Sequence, residues 1–197
     1  MKQPSIWSRK VAKITNTKKV IADSFAKLME RTSLSKISIQ SIVDECGLNR
    51  QTFYYHFKDI LDLIEWIFCV DGFEKEQKGI AFWSWEKGLD GICAHLQKNS
   101  AYYLKIFHSN ARMPMETIIR AKIFELLCGA VDLRCRPGSV SEKEQRMIAD
   151  FYTCAVVGQL FQWIDGGMTA RAEEFCAQIR LLMEGALDAA IQKYSLY

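Results

Sequence analysis

Apolar residues recur along this chain at spacings of three and four, and no run alternates apolar with polar positions, so the pattern predicts helices and no strand. A first helix is expected from near Thr17, with Ile21, Phe25 and Leu28 on one face. It should end at about Arg31, where Thr32, Ser33 and Ser35 interrupt the stripe. Ser38 then stands as an N-cap, whose hydroxyl accepts from an orphan backbone N–H of the next helix. Ile37 and Ile42 flank it at the spacing of a hydrophobic staple. Ile39, Ile42, Val43 and Cys46 continue one stripe, and Gly47 sits where a left-handed residue ends a helix. The arrangement repeats at once, with Leu48 and Phe53 as the staple and Asn49 as the cap. Two short helices joined by a glycine turn make a helix-turn-helix.

Beyond the motif, Asp59 caps a fourth expected helix, with Leu61, Ile64, Ile67 and Phe68 recurring to about Phe73. Trp83 to Lys98, Ser100 to Phe107 and Met115 to Leu133 read as three more. Arg136-Pro137-Gly138 breaks the chain, and Ser141-Glu142-Lys143-Glu144 is a capping box opening a long helix to about Asp165. Gly166-Gly167 ends it, and Thr169 is the expected cap of a last helix running towards Tyr194. No internal repeat is visible. The expectation is an all-α protein, with a helix-turn-helix domain over 1–60 and a helical domain over 61–197.

Composition narrows the class. With 197 residues, 49% apolar and 25% charged, 11 Gly and 3 Pro, the chain can bury a sizeable core, which excludes disorder and low-complexity sequence. No stretch of about 18 apolar residues argues for a membrane span. The first twenty residues lack the apolar region of a secretory signal, so a cytoplasmic protein is expected. Seven cysteines, at 46, 69, 93, 128, 135, 154 and 176, form no C-x-x-C pair and read mostly as small buried hydrophobes. Cys135 lies between Arg134 and Arg136, two cations that would lower its pKa; the plainer reading is an incidental loop thiol. His95 and His108 lack metal-ligand spacing, and neither a cofactor motif nor a nucleophile–base constellation of an enzyme is present.

Net charge matters once it is divided. Residues 1–60 hold eleven Lys/Arg against five acids, a net +6, while 61–197 hold fifteen against eighteen, a net −3. A basic head on an acidic body is the footprint of nucleic-acid binding, and it argues against a protein that coats DNA uniformly. On the second helix of the motif Phe53 and Phe57 face inward, so Gln51 and Tyr55 face outward, with Tyr54 on one flank and Thr52 and His56 on the other. Arg50 lies in the first turn, and no acid stands between Asn49 and Lys58. Arg and Gln have the donor geometry to read guanine and adenine edges, while Tyr and His suit phosphates.

The run Ser38-Ile39-Gln40-Ser41-Ile42-Val43, followed by Cys46-Gly47-Leu48-Asn49-Arg50-Gln51-Thr52-Phe53-Tyr54-Tyr55-His56-Phe57-Lys58-Asp59, resembles the signature of TetR-family transcriptional regulators. With Asp62-Leu63-Ile64-Glu65-Trp66-Ile67-Phe68 after it, the match is similar to the branch of dihydroxyacetone-kinase operon regulators, although the small residue usual at position 51 is absent. The resemblance implies an amino-terminal three-helix DNA-binding domain joined by a fourth helix to a helical dimerisation and ligand-binding domain. By position, Thr17 and Lys18 would touch phosphates, and Ser38 and Gln40 would approach from the preceding helix. Arg50, Gln51 and Tyr55 would read bases, Tyr54, His56 and Lys58 would hold the backbone, and Asn49 and Thr52 would share the DNA face. Repression is the family's commoner mode; the branch keeps activation open, as it does control by a protein partner.

In the body, the long helix is apolar nearly all round, through Met147, Ile148, Phe151, Tyr152, Ala155, Val156, Leu160, Phe161 and Ile164, with Ala155 and Gly158 allowing close approach. The last helix carries Phe175, Ile179, Leu182 and Ala186, widened by Cys176, Met183, Leu187 and Ala190. A homodimer through residues 141–194 would cover both; the alternative is that they fill a monomer core. Aromatics crowd the stretch from Trp66 to Phe124, including Phe73, Phe82, Trp83, Trp85 and Tyr102. Trp66, Tyr103, Phe107 and Phe124 are candidate linings of a cavity for an effector, small molecule or protein, against the plain reading of core.

Overall fold

The computed structural model describes residues 6–69 and 84–195, with side chains from residue 16 onward. Among the described residues, ten α-helices follow in order: α1 (Ile6–Arg31), α2 (Ile39–Cys46), α3 (Arg50–His56), α4 (Ile60–Trp66), α5 (Trp85–Lys98), α6 (Ser100–Phe107), α7 (Arg112–Asp132), α8 (Glu142–Asp165), α9 (Ala172–Met183) and α10 (Ala186–Ser195). A short 3₁₀ turn over Leu34–Lys36 joins α1 to α2, and no strand occurs among the described residues. None of the described helices is long and apolar enough to cross a membrane.

The head is a three-helix unit. Ile21, Phe25 and Met29 of α1, Ile42 and Val43 of α2, and Phe53 with Phe57 at the end of α3 form its buried centre. Helix α1 is already formed at Ile6, the first described residue and well before the expected Thr17, because nothing between the two breaks it: the segment holds neither Gly nor Pro. Helix α4 is regular to Trp66 and continues as a π turn over residues 67–69. The expected continuation to Phe73, the expected start at Trp83, and the aromatics Phe73 and Phe82 lie outside the described residues.

The body is built on α7 against α8, with α5 packed on α7 and α9, and α10 on α8. Helix α7 begins at Arg112, three residues before the expected Met115, since Pro114 sits in its first turn, where a missing N–H breaks no intrahelical bond. Arg112 ties this start to the end of α8, donating to both oxygens of Asp165 at 2.9 and 2.8 Å.

The expected last helix is two. Gly185, at φ +67°, sits in the left-handed region and separates α9 from α10. Thr169 is not the cap of α9, which starts at Ala172 after Arg171. Gln97 of α5 performs that task from a distance: its Oε1 accepts from Ala172 N–H at 2.8 Å, and its Nε2 donates to Met168 O and Ala170 O at 3.0 and 2.9 Å. Cys93 and Cys176 are buried as expected, but Cys154 is exposed on α8. Cys135 is not activated by its arginines; burial and the Asp132 carboxylate push its thiol pKa upward.

Candidate nucleic-acid interface

Local chemistry sets the positions of α2 and α3. Ser38 Oγ accepts from Ser41 N–H at 3.1 Å, and Ser41 Oγ accepts from Ser38 N–H at 3.0 Å, a reciprocal capping box that fixes the start of α2. Gly47, at φ +66°, closes the helix, and Leu48 N–H donates back to Val43 O at 2.9 Å. The glycine is needed for its backbone conformation, since a Cβ there would meet nothing within 4 Å. Asn49 Oδ1 then accepts from Thr52 N–H at 2.8 Å and from Thr52 Oγ at 3.0 Å, so these two residues hold one another as the cap of α3. Phe53 is fully buried and Phe57 nearly so, which turns the opposite side of α3 outward.

That outward side carries Arg50, Gln51, Tyr54 and Tyr55, all exposed, with Tyr55 at 70%. Arg50 donates to the Tyr54 hydroxyl at 3.4 Å, one turn along the helix. The Tyr55 ring meets His56 edge-on, with centroids 5.0 Å apart. His56 is half-buried, and its pKa lies below the ordinary 6.5, through burial first and the nearby Lys18 ammonium second. It is therefore neutral at pH 7, a hydrogen-bonding group.

Neighbouring acids are engaged elsewhere. Glu45 pairs with Arg31 at 2.7 Å, Asp44 accepts from Gln40 at 2.7 Å, and Asp62 accepts from the Lys58 backbone N–H at 2.7 Å. Gln40 is exposed on α2 but held by Asp44, and Ser38 by its cap. Lys18 is half-buried with its ammonium 4.9 Å from the Phe57 ring and 5.8 Å from Trp66, a cation–π clasp between α1 and the α3–α4 joint. Thr17 is half-buried one residue before it. The twelve expected DNA contacts lie on α1, at the start and along α2 and on α3 with the turn that follows it, three helices packed on one another. Arg50, Gln51, Tyr54, Tyr55 and Lys58 are exposed, with Arg50 and Tyr54 bonded to each other, whereas Lys18, Ser38, Gln40, Asn49 and Thr52 are held by partners that also fix the helices.

The four expected ligand-lining aromatics do not converge. Trp66 packs on Phe57 at 5.9 Å, Phe107 on Phe161 at 5.9 Å, and half-buried Phe124 lies under Arg146 at 5.8 Å. Tyr103 alone of the four lines the cavity of about 690 Å³ that opens between α1 and the α5–α6 corner. Buried His95 shares a hydrogen bond of 2.7 Å with the Tyr103 hydroxyl on its wall. Met29, Ile67, Tyr102 and Lys105 complete much of the rest. Sequence reading missed these because they come from α1, the turn after α4, α5 and α6, and only the aromatic Tyr102 carried a local signal. No group of three or more His, Cys, Asp or Glu that could hold a metal occurs among the described residues.

Residues 84–185 match the family model described as a transcriptional regulator C-terminal region. The chain is also 33% identical over 91 residues to the HTH-type dhaKLM operon transcriptional activator DhaS of Lactococcus lactis subsp. lactis, an alignment covering 46% of this chain. It thus spans about half (49%) of the length of that curated relative. A solved structure titled dihydroxyacetone kinase operon activator DhaS superposes with a TM-score of 0.63 over 90% of this chain and 97% of that one. At 24% identity, it shows the shared fold.

Proposed function

Since this chain belongs to the TetR family of transcriptional regulators, we propose that it binds a palindromic DNA operator as a homodimer and releases or engages it in response to an effector. The observation that carries this reading is the outward side of α3. Arg50, Gln51 and Tyr55 stand exposed on a helix whose start is fixed by Asn49 and whose back is fixed by buried Phe53, with no acid on it. Such a helix enters a major groove as a rigid object, with Arg50 and Gln51 positioned for base edges and Tyr54, His56 and Lys58 for phosphates. The same reading puts the chain in the cytoplasm with its operator.

Pairing is supported by what the body leaves uncovered. Met147 and Phe151 of α8 are 57% and 67% exposed, and Leu181 and Leu182 of α9 are 71% and 75% exposed. A second copy is the cover that family membership favours, and it sets two copies of α3 about one DNA turn apart, ~34–36 Å. An effector in the cavity beneath α1 would bias the spacing of the two heads. A tenfold change in operator affinity requires about 1.4 kcal/mol of differential binding. Repression is the family's commoner mode, but the curated relative is named an activator, and that favours activation as the second reading.

Selection of bound duplexes from a random pool tests the proposal. Enrichment of a palindrome with two half-sites about 10 bp apart is expected. Retention of random duplex equal to the selected one at fixed salt would overturn it, because binding would then rest on phosphate charge alone.

A further inference from the structure

The carboxyl end of α1 leaves backbone carbonyls without an intrahelical partner. Leu28 O is taken by Thr32 N–H at 2.9 Å, just past the helix end. Met29 O and Glu30 O are taken from another part of the chain. The Lys105 ammonium, on α6 of the body, donates to both, at 3.1 Å for Glu30 O. A cation there also meets the negative end of the helix dipole. One turn away on the same side of α6, Tyr102 meets buried Phe25 of α1 edge-on at 6.1 Å. Lys105 and Tyr102 therefore hold the helix that forms the back of the DNA-reading head.

Both residues also form part of the wall of the cavity between α1 and α5–α6. The Tyr102 hydroxyl is buried there with no hydrogen-bond partner among the described residues. An occupant of this cavity would touch the joint directly, meeting Tyr102 and Lys105 of the body together with Met29 of α1 and Ile67 in the turn that continues α4.

We propose that Lys105 is a positioning residue of operator binding: by clamping the last turn of α1 it carries the state of the body to the head. The inference rests on the operator-binding reading above and names the route by which that binding is regulated. Glu30 and Asp23, on the same cavity rim, are the acids closest in the chain to the clamped turn; Asp23 is engaged by Lys19 at 3.0 Å.

The test is hydrogen exchange of the full-length protein, free and bound to the selected duplex, for wild type, Lys105→Met and Lys105→Arg. Operator binding should slow exchange of the α6 amides (residues 100–107) in wild type by about 5-fold or more, a coupling of ordinary allosteric size. In Lys105→Met that slowing should be lost while the duplex still binds, and in Lys105→Arg, which keeps a cationic donor, it should return. A merely structural lysine would lower thermal stability in Lys105→Met without removing the operator's effect on α6, and that result overturns the proposal. So does a wild type that binds its operator and leaves α6 exchange unchanged. If Lys105→Met fails to fold, Lys105→Gln serves as the uncharged variant under the same criteria. Failure of wild type to select any sequence would instead count against the operator-binding reading itself, so the two failures are told apart.

Discussion

The head and the body of this protein reach their structures by different means. Helices α2 and α3 are each started, stopped and faced by residues within their own few turns: Ser38 with Ser41, Gly47, then Asn49 with Thr52 over buried Phe53. Helices α8 and α9 depend on distant residues, such as Gln97 at the start of α9 and Arg112 at the end of α8, and they leave large apolar side chains uncovered. A self-sufficient head can present a fixed edge to DNA wherever the body carries it. The body leaves Phe151 and Leu182 exposed, and under the proposed function a second copy would cover them. Under the proposed function, recognition would fall to the first region and the number and spacing of heads to the second.

The largest expected effect comes from breaking the body alone. Phe151→Glu combined with Leu182→Glu should convert the protein to monomers and weaken operator binding by about 10²–10⁴-fold, the avidity lost when two linked heads become one. Sedimentation and operator titration check it, and unchanged hydrogen-exchange protection in α2 and α3 should accompany the loss. Breaking the head from inside comes next. Phe53→Ala removes a fully buried ring and should cost about 3–5 kcal/mol, enough to unfold α2 and α3 while most of the helical signal persists in circular dichroism.

Changes on the reading edge should be smaller and leave folding alone. Gln51→Ala or Tyr55→Ala should cost about 1–3 kcal/mol of binding to the selected operator and relax preference at one position in each half-site, with Tm unchanged. Equal loss on selected and random duplex would move those residues from base reading to phosphate holding. The smallest effect concerns His56. Its pKa is lower folded than unfolded, so the unfolded state takes up its proton first as pH falls. The head should keep its full stability above about pH 6.5 and lose a little as pH drops below that value, and His56→Gln should flatten this slope in urea titrations at stepped pH.

The same contrast explains what was legible in the sequence. Caps, staples and the glycine turn are local, so α2, α3 and the outward set Arg50, Gln51 and Tyr55 could be read from spacing. The capping box at Ser141 and Glu144 made the start of α8 equally plain. Thr169 misled because a local cap was available and a distant one, Gln97, was used. The single last helix divided because Gly185 takes a left-handed conformation in the middle of an otherwise helical pattern. The cavity was least visible: its wall joins Met29, His95 and Lys105, residues whose proximity arises only when α1 docks on α6 and α6 packs on α5. Aromatic density pointed to Phe107 and Phe124, which each found a neighbour in the packed body.

The central claim is that two copies join through the uncovered side of α8 and α9 so that two α3 helices read one symmetric site. Determining the mass of the complex with the selected duplex, by native mass spectrometry or sedimentation equilibrium, tests it most directly. The account predicts an even number of chains on each duplex, falling to a single weakly held chain when one half-site is scrambled and Phe151 and Leu182 are replaced by glutamate. One wild-type chain bound tightly and selectively to an asymmetric site would contradict it.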